Sequence, residues 1–272
     1  MADAMAVLAA GPVTIAAGCT DLFPATQMRA LPGPVLDITG VPDLRDIRDA
    51  GTELRIGAGV TWSDLVRADL PPAFDMLKQA AVEVGSVQIQ NAATLVGNIC
   101  NASPAADGVP CLLALDAVVE ISSAAQTRRM ALSDFIMGVR QIALRRGEMV
   151  TAICIPRPAM AGVSRFRKLG ARRYLVISIA MVAMRLEISE NRVTAAAIAV
   201  GACSPVATRL PALEAAITGR AADAGLAQQV SADIIDAALR PIDDIRATGP
   251  YRSHAAVHLL RRALCDLTGG ST

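Results

Sequence analysis

Aromatic side chains make up only 3% of the sequence, so platforms for stacking bases or sugar rings are scarce. Lys and Arg number 26 against 25 Asp and Glu, and they are scattered. That removes the basic stripe a nucleic acid or an anionic membrane surface needs. Long apolar runs are missing too: the most apolar stretch, 174–184, is too short to span a bilayer, and the uncharged stretch 84–106 is broken by Gln, Asn and Ser. The chain does not begin with a basic segment followed by an apolar core, and the expected compartment is the cytoplasm. The six cysteines, Cys19, Cys100, Cys111, Cys154, Cys203 and Cys265, contain no C-x-x-C pair. Neither a zinc ribbon nor an iron–sulfur cluster held by this chain alone is expected, and the thiols are read as free.

Only two histidines are present, which rules against a Ser-His-Asp or Cys-His hydrolytic site. His254 and His258 lie one helical turn apart, yet they lack both the Glu of H-E-x-x-H and a third ligand, so no metal site is expected. Asp243 and Asp244, followed by Arg246, read as a surface turn with local ion pairing. The G-x-G-x-x-G and G-x-x-x-x-G-K-[ST] patterns are absent, which excludes a Rossmann site and a P-loop.

What is present is 53% hydrophobic residues over 272 positions, enough for two or three compact units. Alternation and breakers predict strands over 13–17, 35–38 and 54–58, then helices over 61–67 and 71–84 that lead into the uncharged loop 84–106. A short helix over 111–115, a hairpin over 117–122 and 128–132, a helix over 133–137 and a strand over 149–155 follow. The rest reads as three antiparallel strands, 162–169, 175–188 and 193–202, and three helices, 211–218, 221–239 and 254–267. Strands followed by helices argue for an α+β fold. The expected units are 1–58, 59–158 and 159–272.

Two loops carry chemistry. A strand running into Gly18-Cys19-Thr20-Asp21 and then a helix is an arrangement in which unpaired backbone N–H groups can face a phosphate. A second small-residue turn, Ala93-Thr94-Leu95-Val96-Gly97-Asn98, precedes Asn101-Ala102-Ser103-Pro104-Ala105-Ala106-Asp107. Each loop alone has an ordinary structural reading, whereas together they can grip one pyrophosphate from opposite sides.

These residues resemble the flavin-binding signatures of the separate FAD-binding medium subunit in the xanthine dehydrogenase and carbon monoxide dehydrogenase family of molybdenum hydroxylases. Phe166-Arg167-Lys168 with Arg172-Arg173, the stretch from Pro241 through Thr248, Tyr251-Arg252 and Arg261-Arg262-Ala263-Leu264 resemble its C-terminal part, so the likeness covers essentially the whole chain. The resemblance implies a two-subdomain FAD-binding fold of the PCMH/VAO type, followed by a three-stranded antiparallel sheet with a helical bundle. It implies that Ile15, Ala16, Ala17, Gly18, Cys19, Thr20, Asp21 and Leu22 wrap the pyrophosphate and part of the ribityl chain. Thr94, Val96, Gly97, Asn98, Cys100 and Asn101 line the other side. Asp107, an acceptor-only carboxylate, suits a ribose or ribityl hydroxyl, and Val84, Val150 and Thr151 meet the flavin or adenine. Lys168 is either a solvated surface lysine or a cation that stabilises reduced flavin.

Many family members have glycine where this chain has Cys19 and Val96, positions at which a positive φ would be costly to a side chain. The task implied is to take electrons from a [2Fe-2S] partner, hold them on FAD and release them to an external acceptor such as NAD, a quinone, a cytochrome or oxygen. The partners implied are a large molybdopterin-binding subunit and a small [2Fe-2S] subunit, paired as a heterohexamer. The alternatives are a stand-alone flavin oxidoreductase of the same fold with its own substrate site, and a structural subunit whose flavin site has decayed.

Overall fold

The computed structural model describes residues 1–27 and 29–269; the last three positions of the expected C-terminal unit lie outside the described residues. Helix α1 (Ala2–Ala10) leads into strand β1 (Thr14–Ala16), the one-turn helix α2 (Leu22–Ala25) and strand β2 (Val35–Asp37), and the two strands pair in parallel. Strands β3 (Ile47–Asp49) and β4 (Glu53–Gly57) form a hairpin turned at Gly51, whose φ of 83° a side chain would resist.

Five helices follow before the next strand: α3 (Trp62–Arg67), α4 (Asp75–Glu83), α5 (Val87–Ala92), α6 (Leu95–Asn101) and α7 (Gly108–Ala114). Thr61 starts α3 with a capping box, its hydroxyl accepting from the Asp64 N–H and the Asp64 carboxylate accepting from the Thr61 N–H. The stretch 84–106, expected as a loop, is mostly helical. Ser86 and Thr94 cap α5 and α6 through their hydroxyls, and helices of 6 and 7 residues are too short to show a hydrophobic period in the sequence.

Strands β5 (Val118–Ser122) and β6 (Thr127–Ala131) make the expected hairpin, followed by α8 (Leu132–Phe135), the small hairpin β7 (Ile136–Gly138) and β8 (Gln141–Ile142), and strand β9 (Met149–Pro156). The five-stranded antiparallel sheet has the order β3-β4-β9-β5-β6. Its central strand, β9, is buried along nearly its whole length. Because β4 pairs with β9, the sheet crosses the line expected at residue 58.

The C-terminal strands β10 (Val163–Leu169), β11 (Ala180–Ser189) and β12 (Arg192–Gly201) form an antiparallel meander, to which β13 (Thr208–Arg209) adds a short fourth strand. Both faces are covered. Val182, Met184, Ile198 and Val200 pack under α9 (Pro211–Ile217), α10 (Ala232–Ala238) and α11 (Gly249–Thr268), while Met181, Ala183, Ala197 and Ala199 enter the larger core with α4 and α7. Burial on both faces explains why these strands read as continuous apolar runs instead of alternating ones. β11 begins at Ala180, later than expected, because 170–178 is an irregular turn with Leu175 at φ 52°. The helix expected over 221–239 is divided into a 3-10 turn, Ala224–Gln229, and α10, which Ser231 caps.

Arg252 on α11 is 1% exposed and ties the C-terminal unit together. It donates to the carbonyls of Ile179 (2.6 Å) and Ala202 (2.9 Å) and to Asp244 Oδ1 (2.5 Å). Burial opposes ionisation of Asp244, but the Arg246 backbone N–H and guanidinium together with Arg252 outweigh it and hold the carboxyl down to about 2. A depressed folded-state value stabilises the fold above the ordinary carboxylate range and withdraws that support as pH falls toward 2. Asp244→Asn is expected to cost about 2 kcal/mol at neutral pH. In urea denaturation the difference from the unmodified chain should shrink between pH 4 and pH 2.

Candidate functional site

Gly18 sits against the backbone that leads into the second loop. A Cβ built on it would lie 2.7 Å from Ala93 Cα and closer still to the Ala92 carbonyl, so only glycine lets the two loops meet here. Gly18 thereby permits the close approach of one loop to the other. The pair opens onto a cavity of about 730 Å³ between the β1–β2 unit, helices α5 and α6, the segment 103–107, the start of β9 and residues 168–177. That lies within the usual range of small-molecule and cofactor sites.

Four consecutive backbone N–H groups in the first loop, those of Gly18, Cys19, Thr20 and Asp21, donate to no acceptor among the described residues. All four residues line the cavity. On the facing side Leu95 N–H is spent on the Val60 carbonyl and Gly97 N–H on the Thr94 hydroxyl, whereas Thr94 and Val96 keep theirs. Clustered unspent donors are what a diphosphate needs, and an anion is favoured where backbone dipoles converge.

The third wall is charged and its ion pair is buried. Lys168 Nζ lies 2.7 Å from Asp107 Oδ2, the two side chains being 4% and 7% exposed. Ser178 donates to Asp107 Oδ1 at 2.5 Å. Burial raises the Asp107 carboxyl above its ordinary range, with Lys168 and the Ser178 hydroxyl pulling the other way. Both Asp107 oxygens are therefore engaged within the protein, and Lys168 is not a solvated surface lysine. Asn98 Oδ1 accepts from Gly108 N–H at 3.3 Å, which fixes the start of α7 beside Asp107.

Of the residues expected to hold FAD, all but Ala16 and Thr151 line the cavity. Strand alternation accounts for both. Ile15 and Ala17 face the cavity, so Ala16 faces away, its carbonyl accepting from Ile38 N–H. Val150 likewise turns Thr151 to the other face of the sheet, where its hydroxyl bonds Glu120 Oε1 at 3.0 Å. Trp62, Ile89, Arg140, Met149 and Ile177 also line the cavity. No local motif marks them. Arg140, at φ 58° on the tip of the β7–β8 hairpin, reaches the Asn101 carbonyl and side chain only because the chain folds back on itself.

Cys19 has φ 57°, the conformation that disfavours a side chain, whereas Val96 lies in regular helix and is 5% exposed. The thiols are all free, and burial pushes Cys100, on the cavity wall, up to about 12. His254 and His258 stack their rings edge to face with centroids 4.5 Å apart.

Residues 1–158 match the family model described as FAD binding domain in molybdopterin dehydrogenase, and residues 165–267 match CO dehydrogenase flavoprotein C-terminal domain. The nicotinate dehydrogenase FAD-subunit of Eubacterium barkeri is 35% identical over 71% of this chain and 67% of its own. The carbon monoxide dehydrogenase medium chain of Afipia carboxidovorans is 30% identical over 97% of this chain and 92% of its own. Among solved structures, reconstituted CO dehydrogenase from Oligotropha carboxidovorans superposes with a TM-score of 0.90 at 27% identity, over 99% of this chain and 95% of that one.

Gly18→Ala is expected to drive the loops apart and cost about 3 kcal/mol, read as a fall in Tm. Cys19 and Val96 should respond to glycine with opposite sign. Cys19→Gly gains roughly 0.5 kcal/mol by relieving the left-handed backbone, net of glycine's extra freedom when unfolded. Val96→Gly loses about 2 kcal/mol through lost burial and helix propensity, both measurable by urea denaturation.

Proposed function

The chain belongs to the family of FAD-binding medium subunits of molybdenum hydroxylases, and from that membership we propose that it relays electrons from a small [2Fe-2S] partner subunit through FAD to an external acceptor. It is an oxidoreductase subunit, and its first 158 residues are an FAD-binding domain. The observation that carries the relay reading is the convergence of two donor-rich turns and one buried ion pair on a single cavity.

The residues present suit FAD. The N–H groups of Gly18, Cys19, Thr20 and Asp21 would hold one side of the diphosphate and those of Thr94 and Val96 the other, with the Thr20 hydroxyl as a further donor. The Asp21 side chain, carrying like charge, contributes only its backbone there. Asn98 and Asn101 offer amide groups to ribose or ribityl hydroxyls, and Leu22, Val84, Cys100 and Val150 offer apolar surface to a ring. Residues 1–58 and 59–158 would supply the two halves of the grip, and 159–272 would close it with Lys168. Bound FAD supplies the redox chemistry, accepting electrons and releasing them one or two at a time. The protein binds it, excludes water and sets the local charge.

Substrate hydroxylation is assigned to a large molybdopterin-binding subunit, and the assembly to a heterohexamer in the cytoplasm. Among the described residues no group of His, Cys, Asp and Glu suits a metal, and no helix is long and apolar enough to cross a membrane. Purified protein is expected to carry one FAD per chain, visible as flavin absorbance and released by acid. Colourless protein that takes up no added FAD would defeat the proposal. Lys168→Gln, with FAD retained, is expected to lower the flavin midpoint potential by about 30 mV, a tenfold shift in a two-electron equilibrium.

A further inference from the structure

A second cavity, about 620 Å³, shares Lys168 and Val176 with the first and is lined also by Val82, Arg172, Arg173 and Tyr174. The turn that borders it, 170–177, is held in one shape. Gly170 lies so close to Val176 that a Cβ there would collide with the Val176 side chain, so glycine lets the base of the turn close. Within the turn the Arg172 guanidinium donates to the Tyr174 carbonyl at 3.0 Å and to the Leu175 carbonyl at 2.5 Å, with Leu175 at φ 52°. Arg173 stacks over the Tyr174 ring, 5.2 Å from its centroid.

Yet this fixed turn presents its apolar side chains outward. Tyr174, Leu175 and Ile177 are 64%, 54% and 52% exposed, and Val82, which lines the same cavity as Tyr174, is 53% exposed. Arg172 and Arg173 are exposed too, with no carboxylate partner among the described residues, whereas Lys168 is spent on Asp107 and Glu83 is half-buried. Tyrosine and arginine on a preorganised element are the residues that anchor protein contacts, because little freedom is lost when a partner covers them.

We propose that the turn 170–177 is the docking surface for the external acceptor, and that this acceptor is a small acidic protein carrying a one-electron centre. The inference rests on the FAD reading above. Ile177 lines the cofactor cavity and Val176 lines both cavities, so a protein seated on Tyr174 and Leu175 has its contact face at the wall of the flavin site. Electron transfer weakens steeply with distance, and this placement keeps the path short. A nucleotide or a quinone would enter a cavity and leave the outward side chains wet, whereas a partner with a surface of its own covers them. The unpaired arginines select a partner of opposite charge and steer its approach. One short turn and its border form a transient contact, smaller than a permanent subunit interface, which suits a carrier that leaves after each electron. Two carriers are reduced for each flavin reoxidised, and the protons of the flavin pass to water.

The test takes the full chain loaded with FAD, reduces it by light with EDTA, and mixes it without oxygen in a stopped-flow instrument with cytochrome b5, an acidic haem protein, or cytochrome c, a basic one. Flavin content is measured first, so that a chain without flavin strikes the FAD reading and is distinguished from a failure of docking. Oxidation by cytochrome b5 is expected to be second order and to slow as salt is added. Arg173→Glu is expected to slow it about tenfold at low ionic strength and to flatten the salt dependence, while oxidation by cytochrome c does not slow. Leu175→Asn keeps a residue that tolerates positive φ but removes apolar contact, and is expected to slow cytochrome b5 about fivefold at every salt concentration. Oxidation by dichlorophenolindophenol, a small dye, stays unchanged in both variants. An unchanged rate with cytochrome b5 in either variant, a salt-independent rate in the unmodified protein, or an equal loss with the dye overturns the carrier surface. A chain that dimerises through the turn, or an assembled complex in which cytochrome b5 no longer reacts, gives the surface to a second copy or to a partner subunit and overturns it as well.

Discussion

The closeness of two peptide segments that are far apart in the chain determines the rest. Gly18 lies directly on the Ala92–Ala93 backbone, and from that contact everything at the cavity takes its position. The turn before the contact leaves four N–H groups unspent, and the helix after it starts at Thr94 with two more. Separate turns of this kind are common and bind nothing in particular; the hydrogen-bonding capacity becomes useful when steric fit brings them to one place. Residues chosen for small size are therefore doing electrostatic work at one remove.

Helix α7 carries the second constraint. Its first turn lies beside Asp107, which Lys168 and Ser178 of the C-terminal unit hold. Its far end is held by the same unit: Arg185 donates to the Ala114 carbonyl at 3.1 Å and Arg209 to the Leu113 carbonyl at 2.8 Å. Cations at the last carbonyls and an acid at the N-cap, Asp107, both favour the helix dipole. A helix of 7 residues, too short to be stable by itself, is thereby fixed between two units of the molecule.

Much of this was legible in the sequence and the remainder was not, for physical reasons. The β5–β6 hairpin and the meander β10 to β12 join neighbouring segments, and their apolar patterning was readable. The pairing of β4 with β9 brings together segments about a hundred residues apart, which no local pattern encodes. Loop chemistry identified Gly18, Thr94 and Asp107, yet the bond from Asp107 to Lys168 spans 61 positions and its burial depends on the C-terminal sheet closing over it. Ala16 and Thr151 show a finer limit: a motif names a run of residues, while the pleat of a strand turns neighbouring side chains to opposite faces, here away from the cavity.

The bond between Lys168 and Asp107 also makes the two matched regions inseparable. Cutting the chain ahead of β10 would strand a buried carboxylate without its cation, and would strip one wall from the cavity and the carbonyl anchors from α7. An isolated nucleotide-binding half would then face a solvation penalty before any ligand arrived. By the same linkage, a ligand held in the cavity stabilises both regions that form its walls.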